Sequence, residues 1–304
     1  MSHGRITIGF SSHQIEVLPF VRRQMELHQT IILEEAPSPL FQDMMADLIP
    51  IEDYLLEDAS QFPQFDTQMC ELTRGMHFRG KRILQVEPFM ERLIQIHELL
   101  AAGKTKEDVR VTSELREVYE TESAANGALI AFYSASVRAP FAEVAEAVKD
   151  YEKTDANLLR LRENLRARAI ASIAGSSESI FVEAGYIHYL LYRYLQPEIG
   201  AHRKVKVVYP MDESFRNLKG KRRNMGPGDI LTLHYLLGHN PPRGLADLLA
   251  ARSLIYIKMI EKEELHPGVS PTPHCEHEVR VNRMVDRLSL EDCAKIFGRS
   301  VATQ

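Results

Sequence analysis

The chain has 304 residues, a formal net charge of −5, 44% hydrophobic and 26% charged residues, and three cysteines. This is ordinary globular composition with ample apolar material for a core. The acidic balance argues against nucleic acid as a partner. The apolar runs are too short to predict a membrane span. Cys70, Cys275 and Cys293 are few, scattered and odd in number, which predicts no disulfide framework and a reducing, cytoplasmic setting. The N-terminus enters a strand-like run without the pattern of an export signal. One basic loop, Lys219-Gly220-Lys221-Arg222-Arg223, reads as a solvated turn rather than a nucleic-acid site.

Residues 5–10 read as a buried strand that ends in Gly9-Phe10-Ser11-Ser12-His13. A helix follows to about residue 28, with Pro19 near its start. Thr30-Ile31-Ile32-Leu33 is a second strand, closed by Glu34-Glu35-Ala36-Pro37. A helical region leads to a third strand, Arg82-Ile83-Leu84-Gln85-Val86, ending in Glu87-Pro88.

Residues 89–174 are rich in Ala, Glu, Leu and Arg and predict helix almost throughout, with breaks at Gly103 and Pro140. Ala124-Ala125-Asn126-Gly127-Ala128 is a further place for a bend or break. The segment is too long for one crossover and reads as a helical insert able to act as a lid. A fourth strand, Ser179-Ile180-Phe181-Val182, runs into Glu183-Ala184-Gly185 and a helix over 186–195. A fifth strand spans 204–209. Helices are expected over 229–237, 245–264 and 279–297, with no internal repeat.

Strands alternating with helices predict an α/β fold: a mostly parallel central sheet with helices on both faces and a large helical insert. The expected organisation is an α/β domain over 1–210 with its insert at about 89–174. A helical extension over 211–304 packs on the same domain.

Dinucleotide-type Gly-rich turns, P-loops, Gly-x-Ser-x-Gly elbows and His-Glu-x-x-His motifs are absent. What remains is positional: His13, Glu34, Glu35, Glu87, Glu183 and His188 each follow a strand, and the carboxyl edge of a parallel sheet is where ligands bind. Imidazoles and carboxylates gathered there suit a divalent metal (Mn, Co, Fe or Zn). The same groups suit metal-free general-base chemistry on water. Placed at a helix start, His188 is expected to be a neutral imidazole. Pro273-His274-Cys275-Glu276-His277 is a weaker zinc candidate that lacks paired finger spacing.

Gly185-Tyr186-Ile187-His188, the Glu-bearing strand end Ile32-Leu33-Glu34-Glu35, and Arg166 followed by Ala167-Arg168-Ala169-Ile170-Ala171 together resemble a known superfamily. It groups the TraB, Tiki metalloprotease, ChaN-like and erythromycin esterase proteins. Gly9-Phe10-Ser11-Ser12-His13 stands where the first Gly-x-x-His turn would be, with one residue more between Gly and His. Arg162 is the alternative arginine, one turn earlier.

The resemblance implies a metal-dependent hydrolase acting on an amide or ester bond of a small molecule or peptide, or a non-catalytic haem- or ligand-binding protein. In the hydrolase, His13, Glu34, Glu35 and His188 form the metal set. Arg166 neutralises the developing oxyanion, and Glu87 or Glu183 orients a ligand or serves as base. Tyr186 or Tyr189 would face the ligand. A homo-oligomer is compatible with this reading.

Overall fold

A computed structural model describes residues 4–58, 62–174, 179–200, 203–218, 224–265, 268 and 270–301. Five strands, β1 (Ile6–Ser11), β2 (Thr30–Leu33), β3 (Arg82–Gln85), β4 (Ile180–Gly185) and β5 (Val205–Val208), form one sheet in the order β3-β2-β4-β1-β5. All four pairings are parallel. The α/β class with helices on both faces and a large helical region is therefore as expected. Between β1 and β3 lie α1 (Leu18–Glu26), α2 (Pro39–Met45), α3 (Ile51–Asp58) and α4 (Pro63–Phe78). Between β3 and β4 come α5 (Pro88–Ala101), α6 (Lys106–Val111), α7 (Ser113–Arg138) and α8 (Phe141–Ile173). Then follow α9 (Leu190–Glu198), α10 (Asp212–Asn217), α11 (Pro227–Leu236), α12 (Arg243–Met259), α13 (Pro273–Val285) and α14 (Leu290–Val301).

The chain divides into two compact units. The first, residues 1–91, 162–213 and 262–274, holds the sheet. The second, residues 92–161, 214–261 and 275–304, is helical. These boundaries differ from the expected 1–210 and 211–304, because most of the insert and most of the C-terminal helices cluster together around one apolar centre. Leu231, Ala250, Leu254, Val285, Cys293 and Phe297 are among its buried residues, with Val144 and Val148. Such a centre draws on both stretches of sequence.

In the first unit the period-two alternation of the strands builds the core. Ile6, Ile8, Phe10, Ile180, Val182 and Ala184 pack with Ala167, Ile170, Leu191 and Leu195. Ile31, Leu33 and Phe181, which point the other way, are buried too, as a sheet covered on both faces requires. Gly9 sits directly beside the Phe181 ring: a Cβ there would lie 2.7 Å from Cζ and 2.9 Å from Cε2.

Several helix boundaries differ from the sequence expectation. α7 runs unbroken through Ala124–Ala128, since neighbouring alanines outweigh the roughly 1 kcal/mol that one glycine costs. The helix expected over 279–297 is two helices. Ser289 and Asp292 cap the second reciprocally: Ser289 N donates to Asp292 Oδ2 at 3.0 Å and Asp292 N to Ser289 Oγ at 3.1 Å. α12 stops at Met259, where Ile260 turns extended. α9 begins at Leu190 rather than Tyr186, leaving His188 in the preceding turn. The basic run 219–223 lies outside the described residues. No helix of the described residues is long and apolar enough to cross a membrane.

The packing at Gly9 sets a stability test. Gly9→Ala must displace a ring in a fully buried position, and overpacking of this kind costs about 1–3 kcal/mol. Urea melts should shift to lower midpoints by that amount, and an unchanged midpoint would show that the ring has room to move.

Candidate functional site

The carboxyl ends of β2, β3 and β4 are drawn together by one side chain. Arg166, on the part of α8 that belongs to the first unit, is fully buried. Its Nε donates to Val86 O at 3.0 Å and its Nη2 to Glu183 O at 2.7 Å, while Nη1 lies 3.1 Å from Glu34 Oε2. Three adjacent strand ends thus share one guanidinium. Glu34 and Glu183 lock β2 and β4 reciprocally: Glu34 N donates to Glu183 Oε2 at 3.0 Å, and Gly185 N donates to Glu34 Oε2 at 2.7 Å.

Glu34 Oε1 takes two further donors, Arg162 Nη2 at 2.9 Å and His188 Nε2 at 2.7 Å. The other ring nitrogen of His188, Nδ1, is bonded to Glu163, whose side chain is fully buried. Gly185 makes room for this ring, since a Cβ there would lie 3.1 Å from His188 Cδ2. Glu87, also fully buried, sits 3.2 Å from Arg162 Nε and 3.8 Å from Arg166 Nε in off-axis ion pairs, with no hydrogen bond from the described residues to either oxygen.

Three carboxyl groups (Glu34, Glu87, Glu163) and three cationic side chains (Arg162, Arg166, His188) therefore form one buried cluster. Burial alone would lower the His188 pKa, but the charges and hydrogen bonds of Glu34 and Glu163 outweigh it and raise it to about 10. His188 is an imidazolium, not the neutral ring that a helix start would favour. Burial also works to raise Glu34, yet His188, Arg166 and Arg162 hold it well below the ordinary carboxylate range. Burial pushes Glu87 up, against the pull of both arginines.

Above this cluster lies a cleft of about 50 Å³, lined by His13, Glu34, Glu35, Phe65, Asp66 and Glu183, among others. A water molecule takes about 30 Å³, so the cleft has room for one or two. His13, half exposed at the end of β1, stacks on Phe65 with ring centroids 5.2 Å apart and planes 7° from parallel. Its Nε2 stands 3.8 Å from Glu183 Oε1, an oxygen that accepts no hydrogen bond from the described residues. Glu35 Oε2 accepts from Gln85 Nε2 at 2.7 Å.

The expected residues thus divide into two layers. Glu34, Glu87, Arg166 and His188 meet in the buried cluster, with Glu183 bridging it to the cleft. His13 and Glu35 line the cleft. Tyr186 is 43% exposed, and the Tyr189 ring lies 6.3 Å from that of Phe10. His274 and His277 are engaged separately. The first pairs with Glu16 at 2.8 Å and accepts from Leu265 N, and the second accepts from Glu261 N.

Comparison with known proteins adds a relative. The chain is 28% identical over 293 residues to an uncharacterized protein of Archaeoglobus fulgidus, covering 96% of this chain and 97% of that protein. No protein-family model matches the sequence, and no solved structure matches it.

The donors present do not fit a divalent metal as arranged. Both nitrogens of His188 and both oxygens of Glu34 are already engaged. Among the described residues no group of three or more His, Cys, Asp or Glu side chains converges to hold an ion. Haem does not fit a 50 Å³ cleft either, since pockets for ligands of drug size run to about 300–1,000 Å³.

Glu163 and the double role of Arg162 are absent from the sequence expectation. The signal was present: Leu159, Glu163, Arg166 and Ile170 recur at helical spacing, placing two charges on the buried face of α8. Ionised groups on an inward face need partners, and the strand-end carboxylates are the ones within reach.

The cluster sets a pH dependence. Because the folded His188 pKa lies above the ordinary 6.5, its stabilisation is full below about pH 6.5 and is lost as pH rises through about 10. Glu34, depressed, contributes above its ordinary 4.5 and loses that contribution in acid. His188→Ala should cost about 3–5 kcal/mol at neutral pH by leaving the buried Glu163 carboxylate without its cationic partner, while Glu34 keeps Arg162, Arg166 and Gly185 N. It should also flatten the decline in stability between pH 6.5 and 10. Denaturant melts across that range test both, and an equally steep decline in the variant would show that His188 does not titrate there.

Proposed function

We propose that the strand-end cleft hydrolyses an amide or ester bond, using a water held between His13 and Glu183. The observation that carries this reading is the placing of Glu183 Oε1 on the cleft wall, with no hydrogen bond to it from the described residues. The charged groups beneath it are engaged with one another, while this oxygen faces His13 Nε2 across 3.8 Å in a cleft of water size. A water about 2.8 Å from each atom closes a triangle with that edge.

Glu183 is the general base in this scheme. Its carboxylate takes a proton from the water as the water oxygen attacks the carbonyl carbon. His13 gives the Nε2 proton to the departing nitrogen or oxygen as the carbon–heteroatom bond breaks. The Glu183 main chain is held by Arg166 and its second carboxylate oxygen by Glu34 N, so the base is fixed on two sides. Arg166 has its donors committed to the strand ends, which suits positioning rather than contact with substrate. Arg162 retains 22% side-chain exposure and is the nearer candidate for a developing negative charge. The three cysteines are buried thiols, which supports a reducing, cytoplasmic location.

A panel of chromogenic esters and amides tests the reading. Glu183→Gln keeps an acceptor for Glu34 N but removes the base, and His13→Ala removes the acid. Each should lower kcat about 10²–10⁴-fold with little change in melting. Activity should survive chelation. Variants that turn over like the native protein would overturn the roles of Glu183 and His13, and a rate abolished by chelation and restored by Mn, Co, Fe or Zn would overturn the metal-free mechanism.

A further inference from the structure

The helix α7 is apolar on two opposite sides. Its inner side buries Leu115, Val118, Ala125 and Phe132. Its outer side exposes Ile130 (65%), Tyr133 (59%) and Val137 (73%), spaced three and four residues apart so that they form one stripe. From Ser123 to Val137 the sequence holds no ionisable acid or base other than the Tyr133 phenol; Glu122 and Arg138 bound the stretch. A solvent-facing helix surface ordinarily carries charge, and an apolar second face calls for a cover. No helix of the described residues suits a membrane span, and this stretch is too polar in its remaining positions to be one.

We propose that this face of α7 pairs antiparallel with the same face of a second copy of the chain, about a twofold axis passing beside Ile130. A twofold contact sets each residue near the axis against its own copy, so a charge there would meet like charge. Ile130, uncharged and two-thirds exposed, meets only apolar surface. The rest of the stripe is complementary about the same centre. Tyr133 of one copy comes over the Asn126–Gly127 segment of the other, where Gly127 is exposed and presents no side chain. Val137, a branched side chain, comes level with the small Ser123. Gly127 and Ser134 lie on the same face and let the two backbones approach. At either end, Glu122 of one copy comes level with Arg138 of the other, so the charges that bound the stretch are opposite in sign across the pair. This surface lies wholly on the helical unit and is independent of the hydrolytic reading of the cleft.

The test uses the full chain. Sedimentation velocity at tens of micromolar should give a dimer for the native protein and a monomer for Ile130→Glu, with circular dichroism unchanged because the position is exposed. Ile130→Cys places a thiol beside its own copy and should yield a disulfide-linked dimer under mild oxidation, since the native cysteines are buried. Val111→Cys, at a position 83% exposed but outside the stripe, serves as the control and should cross-link far less. A native protein that sediments as a monomer would overturn the proposal. So would a dimer that survives Ile130→Glu with no preferential cross-link at Ile130→Cys.

Discussion

The guanidinium of Arg166 is the interaction on which the site depends. It has no exposure, and it spends its donors on the carbonyls of Val86 and Glu183 and on the Glu34 carboxylate. Desolvating such a cation is expensive, and the expense is offset only where several oxygens converge on it. Three parallel strands that end side by side supply those oxygens. In turn, the arginine fixes how far each strand projects, which sets the position of Glu183 and hence the opening that faces His13. The remaining charges follow from that placement. Glu34, held by Arg166 and Gly185 N, requires further donors for its outer oxygen. Arg162 and His188 provide them, and His188 then requires Glu163.

Much of this architecture was legible in the sequence, because its signals are local. The β-branched runs marked all five strands to within a few residues, and Gly103 and Pro140 mark real helix ends. The Gly185-x-x-His188 turn and the Glu34 strand end were recognisable as short motifs, and Arg166 as a charge on an Ala-rich helix. What was not legible depended on tertiary partners. The protonation of His188 is decided by Glu34 and Glu163, both distant in the chain, whereas its neighbours in sequence suggested a helix starting at Tyr186 that in fact starts four residues later. Glu163 looked like any surface glutamate until the inward face of α8 was known. Gly127 looked like a break, but its helix is anchored on either side by buried Ala125 and Phe132. The sequence motif also misjudged depth: the metal-type donors it grouped lie in two layers, one sealed and one open.

The helical unit shows the opposite economy of charge. Glu152 is buried where α8, α11 and α12 meet, and it accepts a hydrogen bond from Thr232. Burial, with Asp229 and Asp155 adding to it against the Thr232 bond, raises its pKa to about 8. A Cβ on Gly228 would lie 2.7 Å from Glu152 Oε1 and 2.8 Å from Ser253 Oγ, so a side chain there would have to displace one or both of them. One unit thus buries carboxyls against cations, whereas the other keeps a carboxyl dry by letting it hold its proton.

The ties made by Arg166 span long stretches of chain: Glu34, Val86 and Glu183 come from different strands, and the arginine arrives on a helix that follows three of the five strands. A cation of this kind cannot leave water until all of its acceptors are in place, so the cluster belongs to the last steps of assembly rather than to the nucleus. Substitutions within it therefore act chiefly on the rate of unfolding, with φ-values near zero, while strand-core positions such as Ile8 and Val182 carry the early contacts. The charged cluster beneath the strand ends is in this sense a seal, closed only once the sheet is in place.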